Sequence, residues 1–264
     1  MSVVDTPGFD DTYRSDDEIL AEITQFLAVQ YTMKIPLKGI IYLHRIYDNK
    51  MRGSARRHLE LFRSICGDNA LKNVILVTTC WDSVRPENLG EALRREQELV
   101  DKFWAPMQEK GSYIDQFNGS KESAEALILE LVWQRDSVVL EIQRDVVDEQ
   151  KEIAETEAGR QLGKQMEIDI GTYQRRLDRV NAELSKASSD QPSRVKWLEE
   201  EREVIEKVID QLEGSQKRLK TRPGAALKDK VKREWSKDKI LTTSLSVFAA
   251  VVSITLTVVK FVAF

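Results

Sequence analysis

The sequence predicts an α/β fold in which flanking helices cover a parallel sheet. An α-helical hairpin and one C-terminal transmembrane helix are expected to follow. In residues 2–121, short apolar runs alternate with stretches of helical period, which is typical of parallel strands joined by crossover helices. From Lys121 the strand signals stop, and charged helical sequence continues for about a hundred residues. Residues 240–259 then contain no charged side chain.

Four strands are expected in the first part of the chain. Val3-Val4 forms a short strand stub near the N-terminus, and the apolar runs at residues 39–43 and 74–79 suit buried parallel strands. Residues 113–117 predict a weaker last strand. Apolar residues at helical spacing predict helices between these strands, over residues 16–29, 54–66 and 89–103.

Two amphipathic helices are expected after the sheet. Their apolar residues recur at heptad spacing, at Met166, Ile170, Tyr173, Leu177, Val180 and Leu184, and then at Leu198, Ile205, Leu212 and Leu219. The polar residues 185–193 separate the two series. This pattern favours an antiparallel hairpin or a coiled-coil pair. The hairpin either packs on its own domain or mediates self-association or binding of a partner protein.

Composition narrows the class of protein. The net charge of −4 gives no case for nucleic-acid binding. The two cysteines, Cys66 and Cys80, are too few for a disulfide framework or a zinc cluster, so a reduced intracellular protein is expected.

The C-terminal part predicts a membrane anchor. Residues 220–239 contain eight basic and three acidic residues and precede the uncharged run directly. At ~1.5 Å per residue, that run has the length of a bilayer-spanning helix. We expect a single-pass tail anchor at residues 240–260, with the soluble domains facing the cytoplasm of an intracellular membrane. A buried core helix that docks on the chain's own domain is the alternative.

Three short motifs follow predicted strands. Asp5-Thr6-Pro7-Gly8 follows the strand stub and has the pattern Asp-x-x-Gly. Thr78-Thr79-Cys80-Trp81-Asp82 ends the strongest strand, and Asn118-Gly119-Ser120-Lys121 follows the last one. The carboxyl ends of parallel strands are where open α/β sheets bind ligands.

Together these residues resemble fungal P-loop GTPase-like proteins related to septins, Toc GTPases and the immunity-associated AIG1 group. The likeness covers roughly residues 3–165. Besides the three motifs, it is carried by the strings Tyr42-Leu43-His44-Arg45-Ile46, Ser64-Ile65-Cys66-Gly67 and Glu157-Ala158-Gly159-Arg160.

The resemblance implies GTP as a ligand, Mg²⁺ as its metal, and GTP hydrolysis as the ancestral activity. Asp5 would hold Mg²⁺ through water, and the backbone N–H of Gly8 would meet the γ-phosphate. A carboxylate at Asp82 would accept from guanine N1 and N2, within the base-binding string that also contains Thr79 and Trp81. Trp81 either stacks on the purine or caps the core. A backbone N–H near Ser120 would meet guanine O6.

The chain departs from this family pattern at the phosphate site. It contains no Gly-x-x-x-x-Gly-Lys-Ser/Thr, the loop that cradles the phosphates, and Cys80 replaces the lysine of Asn-Lys-x-Asp. The strand that would carry the loop is missing too. Either the remaining strands pair directly, or, as we expect, the natural protein begins upstream and Met1 is internal.

We therefore expect a membrane-anchored GTPase-like protein that binds nucleotide weakly or not at all. Its predicted parts are an incomplete GTPase-like α/β domain (1–121), a helical stalk (122–219), a basic juxtamembrane segment (220–239) and the transmembrane helix (240–260). The alternative is a non-enzymatic membrane-tethered coiled-coil scaffold with a vestigial G domain.

Overall fold

A computed structural model describes residues 2–9, 11, 13–47, 53–134, 136–187, 191–225 and 227. Three strands and eight α-helices are found in these residues: α1 (Asp16–Thr32), β1 (Ile40–Arg45), α2 (Gly53–Cys66), β2 (Val74–Thr79), α3 (Leu89–Leu99), α4 (Ala105–Gln108), β3 (Tyr113–Gln116), α5 (Lys121–Gln134), α6 (Glu141–Gln143), α7 (Glu157–Leu184) and α8 (Pro192–Leu219). Single turns of 3₁₀ or π geometry connect several of them.

The three strands form one parallel sheet in the order β1-β2-β3. Ile40 pairs with Val74 and Arg45 with Thr79, while Ile75 of β2 pairs with Tyr113 of β3. All six residues of β2 are buried. A central parallel strand with helices on both faces is expected to be continuously apolar, as the sequence Val-Ile-Leu-Val of this strand is.

The two faces of the sheet belong to different buried clusters. On one face Val74 and Leu76 join the main core, where the rings of Tyr42 of β1 and Phe62 of α2 pack at a tilt with their centroids 4.8 Å apart. On the other face Ile75 and Val77 pack against Leu127 and Leu131 of α5, with Phe117 beside them. The main core also takes in α1, α4, α6 and the base of the hairpin, through residues such as Leu20, Leu27, Leu61, Trp104, Met107, Ile142, Val146, Ala158 and Leu219.

The α7–α8 hairpin begins at a well-defined cap. The hydroxyl of Thr156 accepts from the backbone N–H of Gly159 at 3.0 Å, which satisfies one of the free donors of the first turn of α7. A Cβ atom at Gly159 would lie 1.8 Å from the carbonyl oxygen of Ile153. The chain can therefore pass this close to the helix only where the helix carries glycine.

The predicted fold class was wrong. Helices account for 69% of the structure, and the sheet has only three strands. Val3 and Val4 form no strand; both are exposed. A two-residue stub that is followed by Pro7, which has no N–H to donate, gains little from pairing. After β3 every described element is helical, so the sheet is a minor part of the protein.

The predicted transmembrane helix at residues 240–260 lies outside the described residues, as does most of the basic segment before it. Of the helices that the structure does describe, none combines the length and the apolar character needed to cross a membrane.

Replacing Gly159 with alanine should lower the free energy of unfolding by about 2–4 kcal/mol, because the new methyl group overlaps the Ile153 carbonyl. Gly163, in the same helix, is the matched control, since a Cβ atom there would meet no other atom within 4 Å. Gly163→Ala should instead stabilise the protein by up to about 1 kcal/mol through helix propensity. Urea unfolding measures both changes; equal effects at the two sites would contradict the close approach.

Candidate functional site

The carboxyl end of β2 carries three of the residues that the sequence assigns to base binding. Thr79 is the last residue of the strand and is nearly buried. Cys80 then takes a left-handed backbone conformation with φ 63°, and Trp81–Ser83 form a 3₁₀ turn. This sharp turn places Trp81 and Asp82 just beyond the sheet.

A hydrogen-bonded chain links Trp81 to both neighbouring elements. Its indole Nε1–H donates to Thr78 Oγ1 at 3.0 Å, and the Thr78 hydroxyl donates to Glu96 Oε1 of α3 at 2.6 Å. The second oxygen of Glu96 accepts from Gln116 Nε2 of β3 at 2.6 Å. The Glu96 carboxylate thus joins β2 to β3. Trp81 is held by this network, which favours a structural role for its indole N–H.

Unlike Thr78 and Trp81, Asp82 takes no part in the hydrogen-bond network at this edge of the sheet. Its side chain is exposed, and the described residues offer its carboxylate neither a hydrogen bond nor an ion pair. It remains available to accept hydrogen bonds from a ligand.

Ser120 lies at the carboxyl end of the neighbouring strand, β3, but its polar groups are already used. Its backbone N–H donates to Asn118 Oδ1 at 2.9 Å, and its hydroxyl accepts from the Ser123 N–H at 3.1 Å. The hydroxyl therefore caps α5, which begins at the next residue. One of the backbone N–H groups that the resemblance offers to guanine O6, that of Ser120, is therefore engaged within the protein.

Asp5 and Gly8 lie in an extended N-terminal segment outside the sheet. Asp5 is exposed, and a Cβ atom at Gly8 would meet nothing within 4 Å. The segment contacts the body through Phe9, whose ring centroid lies 5.9 Å from that of His58 in α2. The structure therefore brings Thr79, Trp81, Asp82 and Ser120 to one edge of the sheet but builds no cradle around Asp5 and Gly8.

The residues present do not fit a nucleotide triphosphate with its metal. A phosphate cradle needs converging backbone N–H groups and a lysine, and Gly8 stands in open space. Among the described residues, no three potential metal-ligating side chains of His, Cys, Asp or Glu come together. A cleft of about 590 Å³ does exist, but it lies at the amino ends of β2 and β3 and is lined by none of the predicted site residues.

The outer half of the α7–α8 hairpin is a second candidate site. Its buried cluster is separate from the main core and combines Val180 of α7 with three residues of α8, Leu198, Ile205 and Ile209. Arg176 of α7 donates to Glu201 of α8 at 2.6 and 2.9 Å. Two large apolar side chains of α8 remain outside this cluster: Trp197 is 57% exposed and Val204 60%.

A buried carboxylate anchors the base of the hairpin. Asp17 of α1, which is almost fully buried, accepts from Arg218 Nε of α8 at 2.5 Å. Burial alone would raise the pKa of Asp17, but the hydrogen bonds and charge of Arg218, with help from Ser15 and Ser215, hold it below its ordinary value of 3.8. This ion pair was not predicted from the sequence, since an acid in the first turn of a helix usually marks only the helix start.

No protein-family model matches the chain, and no curated protein matches it either. The resemblance to P-loop GTPase-like proteins therefore stays a prediction from the motifs.

Asp17→Asn should weaken the attachment of the hairpin. At pH 7 we expect a loss of about 2 kcal/mol in the free energy of unfolding, because a partly exposed Arg218 keeps some hydration when its partner is neutral. The folded-state pKa of Asp17 is lowered, so its contribution is present above its unfolded pKa and is lost as the pH falls through the folded one.

The difference in stability between the wild type and Asp17→Asn should therefore shrink as the pH falls below 3.8, as measured by denaturant unfolding at several pH values. Glu18→Gln is the control, because Glu18 lies 3.6 Å from the same arginine but is partly exposed. It should change stability by less than about 1 kcal/mol. If the difference in unfolding free energy between the wild type and Asp17→Asn stayed constant with pH, the role of this ion pair would be refuted.

Proposed function

We propose that this protein is a non-enzymatic scaffold whose α7–α8 hairpin is an arm that binds a helical partner protein. One observation carries the proposal: the outer half of the hairpin has its own buried core and still exposes Trp197 and Val204. Exposing the large apolar side chain of tryptophan to water is unfavourable in free energy. Tryptophan is also enriched among the residues that dominate binding energy at protein interfaces.

The two exposed residues define a stripe along α8. Trp197 and Val204 are seven residues apart, so they lie on the same side of the helix, two turns from each other. Glu200 lies between them, is exposed and forms an ion pair with Lys196 of the same helix at 3.9 Å. A partner that complements this stripe would present apolar residues at a similar spacing, with polar residues beside them, which describes an amphipathic helix.

The arm is held rigidly enough to present this stripe. Each of its helices has 28 residues and is about 42 Å long at 1.5 Å per residue. At the base, Met166 and Leu219 belong to the main core, and the Asp17–Arg218 pair fixes α8 to α1. A binding surface that is ordered before the partner arrives loses less conformational entropy on binding.

Glutamate at both stripe positions should abolish partner binding. Losing one buried aromatic anchor alone costs about 2 kcal/mol, or about 30-fold in affinity. We expect the doubly substituted chain, Trp197→Glu with Val204→Glu, to recover at least ten times less of the partner that co-purifies with the wild type, as measured by quantitative mass spectrometry.

Two control variants test whether the loss of binding is specific to the stripe on α8 and independent of nucleotide. Ile168→Glu changes an exposed apolar residue of α7 and should leave recovery unchanged. Asp82→Ala should also leave it unchanged, because a scaffold does not depend on nucleotide. The scaffold proposal would be contradicted if Asp82→Ala lost the partner. It would also be contradicted if the chain with Trp197→Glu and Val204→Glu retained it.

Guanine-nucleotide binding is the second candidate function. What favours it is the exposed, unpaired carboxylate of Asp82 at the end of β2, beside the end of β3. One carboxylate can accept two donors from a guanine edge. The other groups expected at the base are engaged within the protein, and no phosphate cradle accompanies them in the part of the chain that the structure describes.

Titration with GTP in the presence of Mg²⁺ should therefore give a dissociation constant no tighter than about 1 mM, a binding free energy of about −4 kcal/mol. Isothermal calorimetry on the wild type and Asp82→Ala measures it, with ATP as the comparison ligand. Micromolar binding of GTP that is lost in Asp82→Ala would restore the nucleotide-switch hypothesis.

A further inference from the structure

One edge of the sheet is open. Among the described residues, β2 is the only strand hydrogen-bonded to β1. β1 carries a single charged side chain, Arg45 at its last position, and its first four residues, 40–43, are apolar. Soluble proteins usually protect such edges with charges or proline, or make them very short. The opposite edge, β3, has four residues and includes Asp115, whereas β1 has six.

The apolar face of the sheet is only partly covered at this edge. Leu43 pairs directly with Val77 of β2 and lies on the same face. Val77 is completely buried beneath α5, but Leu43 is 63% exposed. The layer that covers β2 therefore reaches Ile41 of β1 but leaves Leu43 exposed.

Helix α5, the single described helix on that face, is apolar on most of its sides. Its sequence from Ala126 to Trp133 contains one polar residue, and a helix that is apolar all round is normally buried. Leu127 and Leu131 pack on the sheet, yet Leu129 is 50% exposed and Trp133 81%. Ile41 of β1 packs against the same cluster, so α5 adjoins the open edge.

We propose that the open edge of β1 binds the β1 strand of a second copy of this chain, in antiparallel orientation, with Leu43 on the two-fold axis. An edge strand carries both donors and acceptors, so it is complementary to itself. A two-fold axis perpendicular to the sheet keeps both α5 helices on the same side. Leu43, the most exposed apolar residue of the strand, then packs against its own copy and is removed from water.

The size of this surface predicts a weak dimer. A six-residue strand is about 20 Å long at ~3.4 Å per residue, and α5 has a similar length. A strand edge with one helix flank of this length buries roughly 500 Å² per partner, compared with ~800 Å² in a stable complex. The dimer should therefore dissociate in the micromolar range or weaker. It adds to the scaffold proposal and does not depend on it, since α5 and β1 lie outside the arm.

A cysteine on the axis gives a specific signature of this arrangement. Opposite residues of antiparallel strands have Cα atoms ~4.5–5.5 Å apart, which is within the range that a disulfide requires. We would place Leu43→Cys in the full-length chain with Cys80→Ser. Cys66 is buried, and burial raises the pKa of its thiol, so it should not react. Diamide takes up the two hydrogens that the paired thiols lose.

Non-reducing electrophoresis should show a covalent dimer for Leu43→Cys. The matched control is Tyr113→Cys, which places an exposed cysteine on the opposite edge of the same sheet. We expect at least ten times more dimer from position 43 than from position 113. Equal yields from the two positions, or no dimer from position 43, would overturn the proposal.

Sedimentation velocity tests the same interface without oxidation. The sedimentation coefficient of the wild type should rise with protein concentration, whereas that of Leu43→Asp should not, because two carboxylates would meet on the axis. Far-UV circular dichroism checks that this exposed substitution leaves the fold intact. A wild type that is monomeric at all concentrations, or a Leu43→Asp variant that associates equally, would contradict the dimer.

Discussion

The complete burial of β2 is the constraint on which the rest of the structure depends. A strand buried along its whole length needs apolar cover on both faces of the sheet. On one face α1, α2, α4, α6 and the base of the hairpin meet in one continuous core. On the other face α5 and Phe117 provide the cover among the described residues, and this cover does not reach Leu43. The unequal thickness of the two layers explains why the largest apolar exposure of the sheet lies on the α5 side.

The same core decides how the hairpin behaves. Two 28-residue helices joined by a short connection would swing freely if they met the body only at its surface. Instead Ala158, Met166 and Leu219 belong to the core, and Gly159 allows the chain before α7 to approach within contact distance. The Asp17–Arg218 pair adds a directional bond that apolar packing lacks. The base is thus fixed, while the outer half is stabilised only by its own small cluster.

The patterns with a simple period were predictable, and those that depend on tertiary contacts were not. The continuous apolar run at β2 predicts a buried strand, and the heptad positions from Met166 to Leu219 predict the paired helices. Val3-Val4 has the composition of a strand, but pairing requires a neighbour and the sequence does not show whether one is near. Amides such as Asn73, which donates to the carbonyls of Lys38 and Asp136, join segments distant in sequence and leave no local signal. Glu96 and Asp17 were missed for the same reason.

At the candidate site, most polar groups of the predicted base-binding residues and their neighbours form hydrogen bonds within the protein. Thr78, Glu96 and Gln116 satisfy one another and hold β2 to β3, and the N–H and hydroxyl of Ser120 are both engaged at the start of α5. Breaking these bonds to admit a ligand would leave half-buried polar groups without partners, at a cost of about 1–3 kcal/mol each. Asp82 alone can bind a ligand without that cost. The free energy available for binding therefore lies in the apolar surfaces, along α8 and at the edge of β1, which favours a protein that binds other chains over one that binds a nucleotide.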